Sequence, residues 1–375
     1  MGKEMAGTTT RGAVRKRILL LVGSTVFTLS LVESCLRLTT TPSSFRNPDS
    51  DAYWILRVRE SSPEQRRFAE DVSYDPQLGW RSKPNFVNGS IHHNSRGVRG
   101  QREHAEAKAD GTQRILALGD SYTYGLLVAD NATYAARLES LLPATEVLNL
   151  GVNGYGTDQQ TLLWELEGAR YRPDLVLLGF FLHDFHRNGQ SVFQYPKPYF
   201  VADPVAVGGF RLSGVPVAPL ESLLDNTEFA VAPSIRLVDA SRFAMSRIQR
   251  RSGWFEPERA YRQKVALTKF LLERLNASVR ASGAKLVVLV LPPEQAQAFP
   301  DALFIENTIV ESCVRLSIPV HSLSEFFALR SSRGEQLHEH AHWNARGHEL
   351  AAEEIARYLR SEGLVAESTN PRKDK

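Results

Sequence analysis

Gly119-Asp120-Ser121-Tyr122-Thr123-Tyr124-Gly125, entered directly from Arg114-Ile115-Leu116-Ala117-Leu118, is the stretch on which the reading of this chain turns. The approach is short, apolar and closed by a glycine, the pattern of a buried strand. Such a strand delivers Ser121 to its carboxyl edge, where open α/β sheets bind ligands. A serine there is placed for nucleophilic attack but needs a base to activate it. Taken alone, the stretch is more simply a strand-end turn whose Gly-Asp-Ser caps the next helix. The rest of the chain decides between the two.

Working outward, strand-like runs at Arg114–Leu118, Glu146–Leu150, Leu175–Leu182, Lys285–Leu291 and Ile318–His321 alternate with helix-like segments. The helical segments are Tyr134–Leu142, Thr157–Tyr171 and Glu258–Ser282. This alternation predicts a three-layer α/β domain over 113–364, with a mainly parallel sheet and helices on both faces. A Pro-, Gly- and Val-rich stretch over about 186–254 is too long for a plain connection and reads as an insertion, either a lid or a flap on the sheet edge. Residues 39–112 carry turn signals such as Pro76-Gln77-Leu78-Gly79 and read as a connector with a small extended subdomain. Residues 365–375 read as a disordered tail.

The sequence of 375 residues is 42% hydrophobic and 23% charged, ordinary for a chain with a proper core. Its formal charge of +3 is small and sits largely at the termini, so no nucleic-acid groove is indicated. Two cysteines, Cys35 and Cys313, cannot build a disulfide framework. Residues 1–17 end in a basic cluster, Arg11, Arg15, Lys16 and Arg17, before the uncharged run Ile18–Val32. Continued to Leu38, that run reaches the roughly 20 residues a membrane span needs. Glu33 and Arg37, four apart, can pair at the interface. A cleaved signal peptide is the competing reading, but no small-x-small site precedes Thr39. The expectation is an uncleaved anchor over 18–38, a cytoplasmic N-terminus and an extracytoplasmic catalytic domain.

His338-Glu339-His340-Ala341-His342 matches the zinc-protease pattern H-E-x-x-H, which binds metal only when its histidines share a helix face. Asn344 reads as the N-cap of the next helix, with Ala351, Ile355, Tyr358 and Leu359 at helical spacing, so the cluster lies in a loop and no metal is expected. A histidine just ahead of the last helix of an α/β fold can instead lean over the sheet edge. His342 is therefore the candidate general base for Ser121, with Glu339 as the acid that fixes its tautomer. Gly151-Val152-Asn153-Gly154-Tyr155-Gly156 and His183-Asp184 follow two neighbouring strands, where they can offer donors to an oxyanion.

These blocks together resemble the SGNH (GDSL-type) hydrolases. Gly119-Asp120-Ser121 is similar to that family's nucleophile block, Asn149–Gly154 to its second, Gly179–Asp184 to its third and Glu339–His342 to its last. The resemblance spans about Ile115–Leu364 without the insertion, and the absence of G-x-S-x-G around Ser121 speaks against the α/β-hydrolases. It implies a flavodoxin-like fold and serine esterase or acyl-transfer chemistry through an acyl-enzyme, without a cofactor. In that frame Ser121, His342 and Glu339 are the catalytic residues, and Ser121, Gly154 and His183 form the oxyanion hole. Two positions depart from the family pattern. His183 stands where asparagine is usual, and Glu339 where aspartate is usual, leaving a Ser121–His342 dyad as an alternative. The implied substrates are small-molecule or glycan esters, sugar O-acetyl groups among them. The rivals are acyl transfer to a cell-envelope glycan and a catalytically idle glycan-binding module.

Overall fold

A computed structural model describes residues 5–224, 231, 234–251, 256–294 and 301–366. The extreme N-terminus, the tail beyond 366 and parts of the expected insertion lie outside the described residues. Five strands form the central sheet: β1 (Gln113–Gly119), β2 (Thr145–Asn149), β3 (Leu175–Phe181), β4 (Lys285–Leu291) and β5 (Val320–Ser322). All neighbours pair in parallel, in the spatial order β5-β4-β3-β1-β2. Read from the other edge this is 2-1-3-4-5, the flavodoxin-like order, whose chain reverses direction across the sheet between β1 and β3. Leu116 pairs with Leu148 on one side and Val176 on the other, fixing β1 between β2 and β3.

Parallel strands covered on both faces are continuously apolar, and residues 115–118 and 286–291 are buried almost without exception. Alternate residues divide between two cores. Leu116, Leu118, Val176, Leu178, Val288 and Val290 face one layer; Ile115, Leu175, Leu177, Val287 and Leu289 face the other.

In chain order the helices used below are α1 (Met5–Thr39), α2 (Asp51–Glu60), α3 (Ser121–Tyr124), α4 (Tyr134–Leu141), α5 (Thr157–Leu166), α6 (Leu182–Arg187), α7 (Arg236–Arg251), α8 (Arg262–Ala281), α9 (Ala302–Arg315) and α10 (Ala345–Ser361). Residues of α5, α8 and α9 belong to the first core, and those of α4 and α10 to the second. Helix α9 escaped the sequence reading, as did α2 and α7. The helix expected over 157–171 ends as an α-helix at Leu166 and continues as a 3-10 turn over Gly168–Tyr171.

Helix α10 begins as its sequence suggests, with the Asn344 side chain accepting the Gly347 N–H at 2.9 Å. One turn in, His348 is fully buried and its Nδ1 accepts the Tyr134 N–H at 3.2 Å, joining α10 to α4. Burial, with help from the nearby Arg99 and His342, pushes the His348 imidazole down to about 3. The unfolded chain takes up that proton near pH 6.5, so between pH 6.5 and 3 it binds more protons than the folded protein. The His348 contribution is complete above pH 6.5 and is lost as pH falls through that window. The urea midpoint of His348→Gln should therefore decline less between pH 7 and 4.5 than that of wild type.

Residues 39–112 fold as α2 and two short hairpins, Val72–Asp75 with Gly79–Ser82 and Val87–Asn88 with Ile91–His92. The first hairpin is docked on the loop after β2: Trp80 Nε1 donates to Asn153 O at 2.9 Å, and Asn153 Nδ2 to Asp71 at 2.7 Å. After α6 come two further hairpins, Val192–Phe193 with Tyr195–Pro196 and Tyr199–Ala202 with Phe210–Ser213. Lys197 pins them to the core through a fully buried ion pair with Asp158 at 2.5 Å.

Within α1, residues 13–39 are long and apolar enough to cross a membrane or to serve as a signal sequence.

Candidate active site

β1 ends at Gly119, where a Cβ would collide with the Thr123 side chain, so only glycine lets α3 turn back over the strand. The buried Asp120 caps α3 by accepting the Tyr122 N–H at 2.9 Å. Ser121 is thereby the first helical residue, placed at the carboxyl edge of β1. The first N–H groups of a helix have no intrahelical acceptor. That of Ser121 donates to no acceptor among the described residues.

His342 Nε2 lies 2.9 Å from Ser121 Oγ, across 221 positions of sequence. It is carried by a two-residue hairpin in which His338–Glu339 pairs with His342–Trp343. The turn residues His340 and Ala341 have φ of +46° and +64°. Such turns favour left-handed backbone at both positions, which costs a non-glycine residue about 1 kcal/mol or more. Two anchors hold the strained turn. Tyr122 Oη donates to Ala341 O at 2.6 Å, and the fully buried Trp343 stacks on Phe327.

The turn also brings the His340 carbonyl to 3.2 Å from His342 Nδ1. With Nδ1 donating there, the Nε2 lone pair faces the serine hydroxyl, the tautomer a general base requires.

Glu339, expected to orient His342, is not its partner in this arrangement. It stands opposite His342 in the hairpin, but its carboxylate is exposed and, among the described residues, reaches only His340, at 3.8 Å. The backbone carbonyl occupies the orienting place because the left-handed turn folds it beneath the imidazole. Residues 338 and 342 point to opposite faces of the hairpin, so the H-E-x-x-H letters do not produce the helical geometry a shared metal needs. Among the described residues no group of three or more His, Cys, Asp or Glu is arranged to hold a metal ion.

Gly154 borders the same cavity as Ser121, with φ of +80°. Its loop is fastened to the nucleophile turn: Asn149 Nδ2 donates to Thr123 O at 2.7 Å, and the Val152 N–H to Gly119 O at 3.0 Å. The Gly154 N–H donates to no acceptor among the described residues.

The third block departs from expectation. His183 stacks on Phe181 with ring centroids 5.1 Å apart, and it is absent from the described lining of the Ser121 cavity. Burial first, then the Arg187 charge, push its imidazole down to about 4, so it is neutral at pH 7. Arg187, four residues on and hence on the same face of α6, lines the cavity instead. Its Nη1 donates to Asp120 at 2.8 Å, Asp184 at 3.0 Å and Tyr155 O at 3.0 Å. Its Nε is buried with no acceptor among the described residues. Burial and then the Asp120 charge push the Asp184 carboxyl well above its ordinary range, against the pull of Arg187. The one sequence signal for Arg187 is a cation within a helix that follows an apolar strand without a break.

The cavity beside Ser121 and His342 measures about 480 Å³. Its aromatic walls are Trp80, Phe86, Tyr124 and Tyr195; its polar groups include Glu70, Asp71, Asn88 and Gln194. These come from the 39–112 segment and the hairpins after α6, with the exception of Tyr124.

Residues 117–350 match the GDSL-like lipase/acylhydrolase family. Among curated proteins, none matches the sequence. The solved structures that match include that of TesA, at 14% identity, 66% of this chain, 99% of that chain and a TM-score of 0.40. Also similar is the acetyl xylan esterase AlAXEase, at 12% identity, 66% of this chain, 99% of that chain and a TM-score of 0.40. A catalytic mutant of Axe2, an acetylxylan esterase from Geobacillus stearothermophilus, matches at 11% identity, 68% of this chain, 96% of that chain and a TM-score of 0.41.

Proposed function

This chain belongs to the GDSL-like lipase/acylhydrolase family, and from that membership we propose that it is a serine esterase releasing short acyl groups from a sugar or similar polyol. The observation that carries the reading is the 2.9 Å approach of His342 Nε2 to Ser121 Oγ, beside two N–H groups with no acceptor among the described residues. As Ser121 Oγ attacks the acyl carbonyl, His342 takes its proton. The oxyanion is met by the Ser121 and Gly154 N–H groups, each worth about 3 kcal/mol when well aimed. His342 then protonates the leaving alkoxide. Water attacks the acyl-enzyme with His342 again as base, and Ser121 is released.

The cavity walls favour a sugar alcohol over a long lipid chain. Aromatic rings offer flat apolar faces to a pyranose, and the interleaved carboxylates and amides accept and donate to its hydroxyls. An O-acyltransferase would use the same residues, with a glycan hydroxyl in place of water.

Ser121 in the full chain should react with a fluorophosphonate probe, read by intact mass, and Ser121→Ala should not. Acetate release from an acetylated xylo-oligosaccharide should exceed fatty-acid release from a long-chain ester. Absence of labelling in folded wild type would refute the hydrolase reading, and turnover only with added sugar acceptor would assign acyl transfer.

A carbonyl rather than a carboxylate beside Nδ1 carries its own expectation. Glu339→Gln should retain kcat/KM within about tenfold, below the several kcal/mol typical of a buried charged partner. A fall of a thousandfold would restore Glu339 as the orienting acid.

Helix α1 completes the proposal as an uncleaved membrane anchor. The basic residues Arg11, Arg15, Lys16 and Arg17 precede its apolar run, which favours a cytoplasmic N-terminus and an extracytoplasmic catalytic domain.

A further inference from the structure

Helix α7 belongs to the long excursion after α6, far in sequence from α1, yet it is bound to the end of α1. The Glu33 carboxylate, itself paired with Arg37 at 2.7 Å, accepts the Arg236 and Leu237 N–H groups at 3.1 and 2.8 Å. It thus caps the positive end of α7. Arg46 secures the same end, reaching Ser234 Oγ at 2.8 Å and Asp239 at 3.2 Å, and Phe45 meets Phe243 with ring centroids 6.4 Å apart.

One side of α7 is therefore spoken for by Asp239 and Phe243. The other is not. Val238, Ser241, Ala244, Met245 and Ile248 recur at three- and four-residue spacing and fall within an arc of about 120° at 3.6 residues per turn. All five are exposed, with Met245 and Ile248 each at 54%. The helix also carries five arginines against its single, already paired Asp239.

We propose that α7 is an interfacial helix, lying with this arc in the acyl boundary of the bilayer that α1 enters and its arginines at anionic headgroups. Two observations single out lipid as the occupant. The attachment point, Glu33–Arg37, is where the uncharged run Ile18–Val32 ends, which is the level at which a spanning α1 leaves the hydrocarbon. The exposed side chains of α1, such as Leu20, Leu21 and Phe27, need that same solvent, so the two apolar surfaces are served by one bilayer. An apolar arc on an arginine-rich helix is the composition that settles at headgroup depth. Two attachments, one spanning and one lying flat, would fix the orientation of the catalytic domain where one flexible tether would not. The inference rests on α1 being a membrane span.

The test uses the full chain with Cys35→Ser, Cys313 being fully buried, in nanodiscs of mixed phosphatidylglycerol and phosphatidylcholine. Single cysteines at Met245, Ile248, Leu20 and the remote exposed Ser140 carry a nitroxide, and collisions with oxygen and with a water-soluble nickel chelate are compared. Labels at Met245→Cys and Ile248→Cys should favour oxygen over nickel at least severalfold more than Ser140→Cys, approaching Leu20→Cys. Met245 and Ile248 labels as open to nickel as Ser140, with Leu20 in lipid, would overturn the proposal and leave the anchor standing. Labels shielded from both probes would assign the arc to a protein contact and also overturn it. A water-exposed Leu20 label would remove the anchor and the inference together.

Discussion

His342→Ala lowers kcat for a short acyl ester by about 10⁴-fold or more, and Ser121→Ala gives a loss of the same order. The expectation follows from the proposed mechanism and a single hydrogen bond: Nε2 at 2.9 Å is the acceptor that would take the Ser121 Oγ–H proton. Because the two side chains act as one unit, the double variant should be scarcely worse than either single one. Residual activity then reports the Ser121 and Gly154 N–H groups and binding alone. Steady-state kinetics on the three proteins, with circular dichroism to confirm folding, decides the matter. Losses that multiplied, or a His342→Ala variant within tenfold of wild type, would place the base elsewhere.

Arg187→Leu costs stability and rate together. The guanidinium is the counter-ion of two fully buried carboxylates, Asp120 and Asp184, and removing one partner of a buried ionic cluster typically costs about 3–5 kcal/mol. It also borders the Ser121 cavity, where the proposed mechanism puts the oxyanion, so kcat in whatever fraction folds should fall by about a hundredfold. The pH dependence separates a lost charge from lost packing. Asp184 is already raised in the folded protein, and without Arg187 it rises further. A folded carboxyl above its unfolded value of 3.8 binds the extra proton in the native state, so stability is greatest at low pH and is lost as pH rises through the folded value. The deficit of Arg187→Leu relative to wild type should therefore be smaller at pH 5 than at pH 8 in urea titrations. A deficit independent of pH would mean the arginine acts only as bulk, and recovery of activity in Arg187→Lys would identify positive charge as the active property.

Family and sheet were legible in the chain, and Ser121 stood out as the candidate nucleophile, because these readings rest on local signals. Runs such as Leu175–Phe181 and Leu286–Leu291 are apolar throughout, as buried parallel strands must be. Gly119-Asp120-Ser121 and Asn344 carry their turn and cap chemistry within three or four residues. The same locality explains why the H-E-x-x-H letters could be set aside: an N-cap directly after them leaves no helix for the pattern to occupy. Helix α9 went unnoticed, and α7 with it, although the latter's arginine-flanked apolar arc is periodic once its ends are known.

Everything that sets the site's electrostatics and its walls was decided in three dimensions. Whether Nδ1 of His342 meets Glu339 or the His340 carbonyl depends on two left-handed residues, neither of them glycine, held there by Tyr122 and by Phe327 against Trp343, both from other elements. No pairwise spacing encodes that strain. Arg187 rather than His183 faces the cavity because α6 aims residues four apart along one face and only the longer side chain reaches, while Phe181 captures the imidazole. The aromatic walls of the cavity are assembled from Trp80, Phe86 and Tyr195, which lie on segments with no chemical motif of their own. Sequence determined the sheet and the family, since strand ends, caps and short motif blocks are local. Tertiary structure decided the partners of each charge, because burial and hydrogen bonding are set by residues brought together from distant parts of the chain.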